Sequence, residues 1–281
     1  MHVNSYAKAN LYLKIGKKLK SGYHDIESIM QLVKLHDSVS FEKLKEDRIM
    51  IESNNKELES KNNLAYKAAE LLKKKFNVKE GIKIRVDKAI PISAGLGGGS
   101  SNAASALVFL NKMWGLKLNQ KKLAELGIKI GSDVPFFIFG ATSLVEGIGD
   151  RIKPLKKSVS INIVLVNPGI KVATTKAYGW FDKGKKSKVK GNIKDMINAI
   201  SKKNIKKIAE NMHNDFDELI EKKHRIITEI KTNFRKFDAL NSMIVGSGPT
   251  VIGVFDSIYT AREAYFKLKD LYPFVYLTKT H

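Results

Sequence analysis

The sequence predicts an α+β protein of two domains, and three observations carry that prediction. At 281 residues the chain is long enough for one large or two medium domains, each burying its own core. Its first 60 residues read as strands, with apolar side chains at alternating positions. Its last part, from residue 238, reads as strand, glycine loop, strand, helix and strand, while helical patterns fill the interval between.

Taken in order, Val3–Ile15 contains alternating stretches, and Lys20-Ser21-Gly22-Tyr23-His24 supplies a turn. Asp37–Lys43 and Arg48–Glu52 are further short strands. Asn62-Asn63 caps a helix over Leu64–Phe76, with Leu64, Ala68, Leu71 and Leu72 at helical spacing. Gly81–Val86 is a strand, followed by the glycine-rich loop Pro91–Gly99. Helices are predicted over Ser100–Trp114 and Asn119–Ile130. A turn, Gly131–Pro135, precedes the apolar run Phe136–Phe139. Thr142–Glu146 and Ile161–Val166 are strands separated by a Lys-rich loop, Lys153–Ser158. That loop divides the chain into domains 1–158 and 159–281. Beyond it come a helix over Thr174–Trp180 and a segment, Asp182–Gly191, whose Lys, Gly and Ser content predicts a mobile loop. Helices follow at 193–202, 204–212 and 215–234. Asp238–Val245 and Val251–Phe255 are strands, 257–271 a helix and 274–278 a last strand. No internal repeat is present.

Composition narrows the function. Cysteine is absent, so neither disulfides nor thiolate metal sites are possible. No apolar run approaches the roughly 20 residues that span a bilayer. Met1–Lys14 is polar and alternating, unlike the apolar core of a cleavable signal, so a soluble, cytoplasmic protein is expected. The net charge of +22 invites a nucleic-acid reading. However, 44 of the 50 basic residues are Lys and 6 are Arg, whereas Arg leads in bidentate recognition of bases and phosphates. The lysines are dispersed, for example Lys73-Lys74-Lys75 and Lys206-Lys207. They read as a solvated surface that also attracts small polyanions.

The most informative segment is Pro91-Ile92-Ser93-Ala94-Gly95-Leu96-Gly97-Gly98-Gly99-Ser100-Ser101, immediately before a helix. Glycines let the backbone approach a ligand and turn its amides toward one point. The helix N-terminus adds free N–H groups and about half a unit of positive charge. Together they form an anion site suited to a nucleoside triphosphate. The alternative is a helix entry that merely needs flexibility, for which three consecutive glycines would be a poor choice because of their backbone-entropy cost. The loop lacks a Gly-Lys-Ser/Thr ending, so it is no Walker A loop. Gly-x-Gly-x-x-Gly would need glycine at Ser100 or Asn102, which excludes the Rossmann and protein-kinase signatures.

Pro-x-x-x-Gly-Leu-Gly-Gly-Gly-Ser-Ser resembles the phosphate loop of the GHMP kinases (galactokinase, homoserine, mevalonate and phosphomevalonate kinases). Ser5-Tyr6-Ala7-Lys8-Ala9-Asn10-Leu11 is similar to that family's N-terminal motif, with Tyr6 and Ala9 departing from it. Val245-Gly246-Ser247-Gly248-Pro249-Thr250 is similar to its C-terminal glycine motif. The three occur in family order and span most of the chain. The resemblance implies a two-domain GHMP kinase-like α+β fold, with a ribosomal protein S5 domain 2-like N-terminal domain and a ferredoxin-like C-terminal domain. It also implies ATP and Mg²⁺ as cofactors and a monomer or weak homodimer with no nucleic-acid or membrane partner.

Within the family, Gly22-Tyr23-His24 and Gly131-Ser132-Asp133-Val134-Pro135-Phe136-Phe137 are similar to the branch whose substrate is a diphosphocytidyl alcohol of isoprenoid biosynthesis. Homoserine and mevalonate kinases are the nearest alternatives, and their substrates have no base for such a segment to read. A basic nucleic-acid-binding protein with a ribosomal-protein-like fold is the alternative from another class; steep salt dependence of binding would mark it.

Phosphoryl transfer to an alcohol needs positioning, charge neutralisation and removal of the hydroxyl proton. The resemblance assigns Asp133 as the base and Lys8 as a cation that keeps it ionised. A turn cap and a strand-surface lysine are the alternatives for these two residues. Pro91 through Ser101 would hold the ATP phosphates, and Asn63, Leu64 and Lys88 match positions near adenine. Asn10, Tyr23, His24, Thr174 and Tyr178 are the expected substrate contacts, with Tyr23 and Tyr178 sandwiching cytosine. Tyr178 could instead be a core aromatic. Ser100 or Ser101 could offer a hydroxyl to the metal or to phosphate; other metal ligands are left unassigned. His2, His36, His213, His224 and His281 lack ligand-like spacing, and His213 with Asp217 reads as a helix pair.

Overall fold

The computed structural model describes residues 1–184 and 191–281. The chain runs β1 (His2–Lys18), β2 (His24–Leu44), β3 (Ile49–Ser53), α1 (Leu64–Phe76), β4 (Gly81–Asp87), α2 (Gly98–Met113), α3 (Gln120–Gly127) and α4 (Val134–Phe139). Then come β5 (Ser143–Gly147), β6 (Arg151–Pro154), β7 (Asn162–Asn167), α5 (Thr174–Lys183), α6 (Ile193–Ser201), α7 (Ile205–Asn211) and β8 (His213–Asn214). The last elements are α8 (Asp217–Lys223), α9 (Arg225–Lys236), β9 (Asn241–Ile244), β10 (Val251–Phe255), α10 (Ile258–Leu268) and β11 (Phe274–Lys279).

Two sheets organise these elements. The first has seven strands in the order β3-β4-β2-β1-β8, with β5 on β2 and β6 on β5. β2 is antiparallel to β1, β4 and β5, while β3–β4 and β1–β8 are parallel. β1 runs unbroken past Tyr6 and Ala9. Its register shifts between Tyr6 and Ala7, where Tyr6 packs edge-on against His36 and His281. α1 and α2 cover the sheet through Ala65, Ala68, Leu72, Ala103, Leu107 and Leu110, all fully buried.

The second sheet, β11-β7-β10-β9, is antiparallel throughout. Both faces of β7 are buried, which explains its unbroken apolar run. Ile163 and Leu165 join a core with Ala7, Ala9 and Leu11 of β1, whereas Val164 and Val166 pack with α9 and α10. The halves of the chain interlock. Asp215 Oδ2 accepts the Ile15 N–H at 2.6 Å, Gln31 Nε2 donates to the Val159 carbonyl at 2.6 Å, and Thr280 bridges Val33.

Four expectations are corrected. β2 begins at His24 rather than Asp37. Its first half hides buried polar residues that mask the alternation, and these are satisfied internally, as when Ser28 Oγ donates to the Tyr12 carbonyl at 2.6 Å. The Lys-rich segment opens with a strand, β6, so Lys153 pairs with Leu144 instead of lying in a loop. The helix expected over 215–234 is two helices. His224 leaves the helical region (φ −136°, ψ 93°), and Lys231 folds back onto Asp217 (2.7 Å) and Glu221 (2.6 Å). One continuous helix could not bring residues so far apart in sequence together. His213 lies in β8 with Nε2 2.8 Å from Asp215, so it forms no helix pair with Asp217. The loop expected over Asp182–Gly191 falls on residues 185–190, outside the described residues; Asp182 and Lys183 belong to α5.

Candidate active site

A cleft of about 960 Å³ is lined by β1, the start of β2, the glycine loop, the start of α2, Asp133, α5 and the Gly246-Ser247 segment. β1 enters it by simple alternation: Ala7, Ala9 and Leu11 go to the core, and Lys8 and Asn10 line the cleft. Lys8 is only 4% exposed, which excludes an ordinary surface lysine. Its ammonium donates to Asn10 Oδ1 at 2.7 Å and stands 3.8 Å from Asp133 Oδ2. Asn10 is itself oriented by donating to Ser28 Oγ at 2.9 Å. Burial pushes the Lys8 pKa below the usual lysine value, and the charge of Asp133 opposes that shift. Asp133 precedes α4, yet its side chain makes no capping bond, so the turn-cap reading fails. Pro135 presets the first turn of α4 instead.

The glycine loop is pinned by its apolar residues. Ala94 and Leu96 are buried, and the Leu96 carbonyl accepts the Lys8 N–H at 2.9 Å. Gly95 (φ +78°) lies so close to the C-terminal glycine segment that a Cβ there would fall 2.1 Å from the Val245 carbonyl oxygen. Gly97 (φ +71°) packs under Phe137, whose ring would be 2.8 Å from an added Cβ. Helix α2 starts at Gly98, two residues before the predicted Ser100. Its N-cap, Gly97, has no side chain to bond the first-turn amides, so they are left for an anion. Ser101 and Asn102 are buried in this turn, and Asn102 Oδ1 has no hydrogen-bond partner among the described residues. Pro91, Ile92, Ser93, Gly98, Gly99 and Ser100 also line the cleft.

The three residues matched to adenine positions line it too. Asn63 caps α1, accepting the Ala65 N–H at 2.9 Å, and Leu64 would be 3.5 Å from a Cβ at Gly99. Lys88 is ion-paired to the fully buried Asp37, which also accepts the Ala89 and Ile90 amides at 2.9 and 2.8 Å. Its ammonium abuts Gly98, at the start of α2.

Aromatic residues gather at the opposite end. His24, 7% exposed, stacks on Tyr178 with centroids 4.8 Å apart and planes at 21°. Tyr178 meets Phe216 edge-on at 5.0 Å. Burial and the Asp133 charge raise its phenol pKa to about 12. Tyr178 thus packs on the core and faces the cleft at once. Tyr23 is exposed at the rim and has no ring partner among the described residues. His24 rather than Tyr23 stacks on Tyr178, and both tyrosines line the cleft. Thr174 Oγ1 lies 3.0 Å from Ser247 Oγ, joining α5 to the C-terminal glycine segment. Asn214 holds that segment by donating to the Ile244 and Gly246 carbonyls.

Sequence reasoning missed Asn102, Asp37, Asn214 and Asp182. Asp182 carried a usable signal, since Thr174, Tyr178 and Asp182 repeat every four residues along one face of α5. Among the described residues no three His, Asp or Glu side chains form a metal cluster, and no helix is long and apolar enough to cross a membrane.

Comparison with known proteins agrees with this geometry. Residues 63–141 match the family described as GHMP kinases N terminal domain, and residues 196–273 match GHMP kinases C terminal. The chain is 42% identical over its full length to a 4-diphosphocytidyl-2-C-methyl-D-erythritol kinase of Caldicellulosiruptor saccharolyticus, covering 97% of that protein. It is 40% identical to the kinase of the same name from Clostridium perfringens, covering 98% of it. Among solved structures, a 4-(cytidine 5'-diphospho)-2C-methyl-D-erythritol kinase superposes with a TM-score of 0.84 at 24% identity, over 100% of this chain and 99% of the other. A homoserine kinase from Cytophaga hutchinsonii gives 0.78 at 16% identity, over 100% and 94%.

Proposed function

The chain belongs to the GHMP kinase family, and from that premise we propose that it transfers the γ-phosphoryl group of ATP to the 2-hydroxyl of 4-diphosphocytidyl-2-C-methyl-D-erythritol. It is a phosphotransferase of the non-mevalonate route to isoprenoids. The observation that carries the chemistry is the Lys8–Asp133 pair, which shares one cleft with the uncapped start of α2 and with the His24–Tyr178 stack.

Asp133 takes the proton of the substrate hydroxyl, and the resulting alkoxide oxygen attacks the γ-phosphorus as ADP leaves. Lys8 offsets the charge on both carboxylate and alkoxide. Asn10, held by Ser28, keeps the ammonium aimed. The amides from Gly97 to Ser101 receive the phosphates. Asn63 and Leu64 flank adenine, while Lys88 stands nearer the phosphates. His24, Tyr178, Thr174 and the rim residue Tyr23 take the cytidyl end. Asn102 Oδ1, without a hydrogen-bond partner among the described residues, and the Ser100 hydroxyl line the cleft and are oxygen donors that would suit Mg²⁺ brought in with ATP. When bound, that ion would supply charge neutralisation of the triphosphate.

The domain division at 158/159 is kept in this reading, because all strands of the first sheet except the two-residue β8 lie at or before Pro154 and the second sheet starts at Asn162. All proposed site residues come from one chain, so a monomer or weak homodimer suffices, working in the cytoplasm where ATP is supplied. ADP release, measured with the diphosphocytidyl alcohol, homoserine and mevalonate in parallel, tests the function. Turnover is expected with the first alone; turnover with either of the others in its place would overturn the assignment.

A further inference from the structure

Asp182 takes part in none of these steps, yet it holds the ring of His24. Its Oδ1 meets His24 Nε2 at 2.7 Å, and its Oδ2 accepts from Lys18 Nζ at 2.6 Å. All three side chains line the cleft. The hydrogen bond from Lys18, then that from His24, holds the Asp182 carboxyl below its ordinary pKa. An ionised carboxylate can only accept, so the Nε2 facing it carries the proton. In the neutral ring this leaves Nδ1 as an acceptor, and no partner meets Nδ1 among the described residues. Stacking on Tyr178 fixes the plane of the ring, and Asp182 fixes which nitrogen is protonated.

We propose that Asp182 is a positioning residue that locks His24 in the Nδ1-acceptor tautomer, and thereby selects a pyrimidine with an amino group at C4 over one with an oxo group. The proposal rests on the reading that His24 faces the base. Cytosine presents an N–H donor at C4, whereas the oxo group of uracil presents only an acceptor. Two acceptors facing each other in a desolvated pocket leave both unpaired.

Asp182→Asn changes the chemistry with little change in shape. Lys18 retains the amide oxygen, so the amide NH₂ turns toward Nε2 and drives the ring proton to Nδ1. Long-range ¹H–¹⁵N correlation spectra of the full chain read the tautomer, with His24→Gln identifying the resonance. The wild-type protein is expected to show protonated Nε2, and Asp182→Asn protonated Nδ1. KM for the cytidyl substrate should rise about 5- to 150-fold, as for a buried polar group left unpaired. KM for the uridine counterpart should fall, KM for ATP and kcat should hold, and Asp182→Glu should restore the cytidine preference. A proton on Nδ1 in the wild-type protein overturns the proposal, whether or not any variant folds. An unchanged ratio of cytidine to uridine KM in folded Asp182→Asn overturns it equally. Unchanged cytidyl KM in His24→Gln would remove the base-reading role on which it rests, a separate and recognisable failure.

Discussion

Lys8 and Asp133 face each other at 3.8 Å across the cleft, one from the first strand and one from the turn before α4. Neither is committed to a strong ion pair. Lys8 makes its short bond to Asn10 instead, and Asp133 keeps 29% of its side chain exposed. A carboxylate steadied by a nearby cation, yet open to the cleft, can still accept a proton from a third group.

Asp133→Asn is therefore expected to lower kcat by at least about 10²-fold while leaving KM for ATP unchanged, because an amide cannot take the hydroxyl proton. Steady-state kinetics on the folded variant check this. Near-normal turnover would remove Asp133 from the mechanism.

Lys8 should lose its proton at lower pH than the exposed lysines, since burial disfavours its charged form. Between the folded and unfolded pKa values the unfolded chain then binds more protons. Lys8 accordingly makes stability rise as pH climbs through that alkaline window. Titrating the Lys8 ¹³Cε resonance measures the shift. In Asp133→Asn it should move lower still, because the opposing attraction is gone; an upward move would contradict the pairing.

Gly97→Val should weaken ATP binding while sparing the cytidyl substrate. A branched side chain resists φ +71° and would strike the Phe137 ring, displacing the loop that presents the first-turn amides. Calorimetric titration with a non-hydrolysable ATP analogue reads the effect. Full ATP affinity in the folded variant would mean that the loop does not hold the nucleotide.

Tyr178→Ala should raise KM for the cytidyl substrate roughly 5- to 150-fold, the range for loss of one base-stacking face. KM for ATP should barely move, because the phosphate loop lies at the other end of the cleft. Equal changes for both substrates would instead report lost packing against Phe216.

The parts of this molecule built on local rules were legible in the sequence. Asn63 caps α1 where the pattern placed it, and β10 runs from Val251 to Phe255 as its apolar run implied. The glycine loop stood out because its backbone geometry admits so few residue types. What stayed hidden depends on contacts distant in sequence. The first half of β2 carries Ser28 and Gln31 inside the protein, so it resembles no alternating strand until its partners, Tyr12 and Val159, are in place. β8 is two residues long and exists only because β1 receives it. The His24–Asp182 bond spans 158 positions, and nothing local to either residue announces the other. Sequence likewise placed Tyr23 and Tyr178 at the cleft, where both lie, but not the His24 imidazole that stacks on Tyr178.

The interlocking of the two halves has a practical consequence. Lys156 and Lys157 are exposed between β6 and β7, and the ties from Gln31 to Val159, from Asp215 to Ile15 and from Thr280 to Val33 are all noncovalent. A polypeptide divided between those two lysines would lose none of them. Each fragment alone would bare half of a shared core, Ala9 and Leu11 on one side and Leu165 and Val245 on the other. Co-produced, the fragments have every incentive to dock, which makes this chain a natural scaffold for a split enzyme whose activity returns only when its pieces meet.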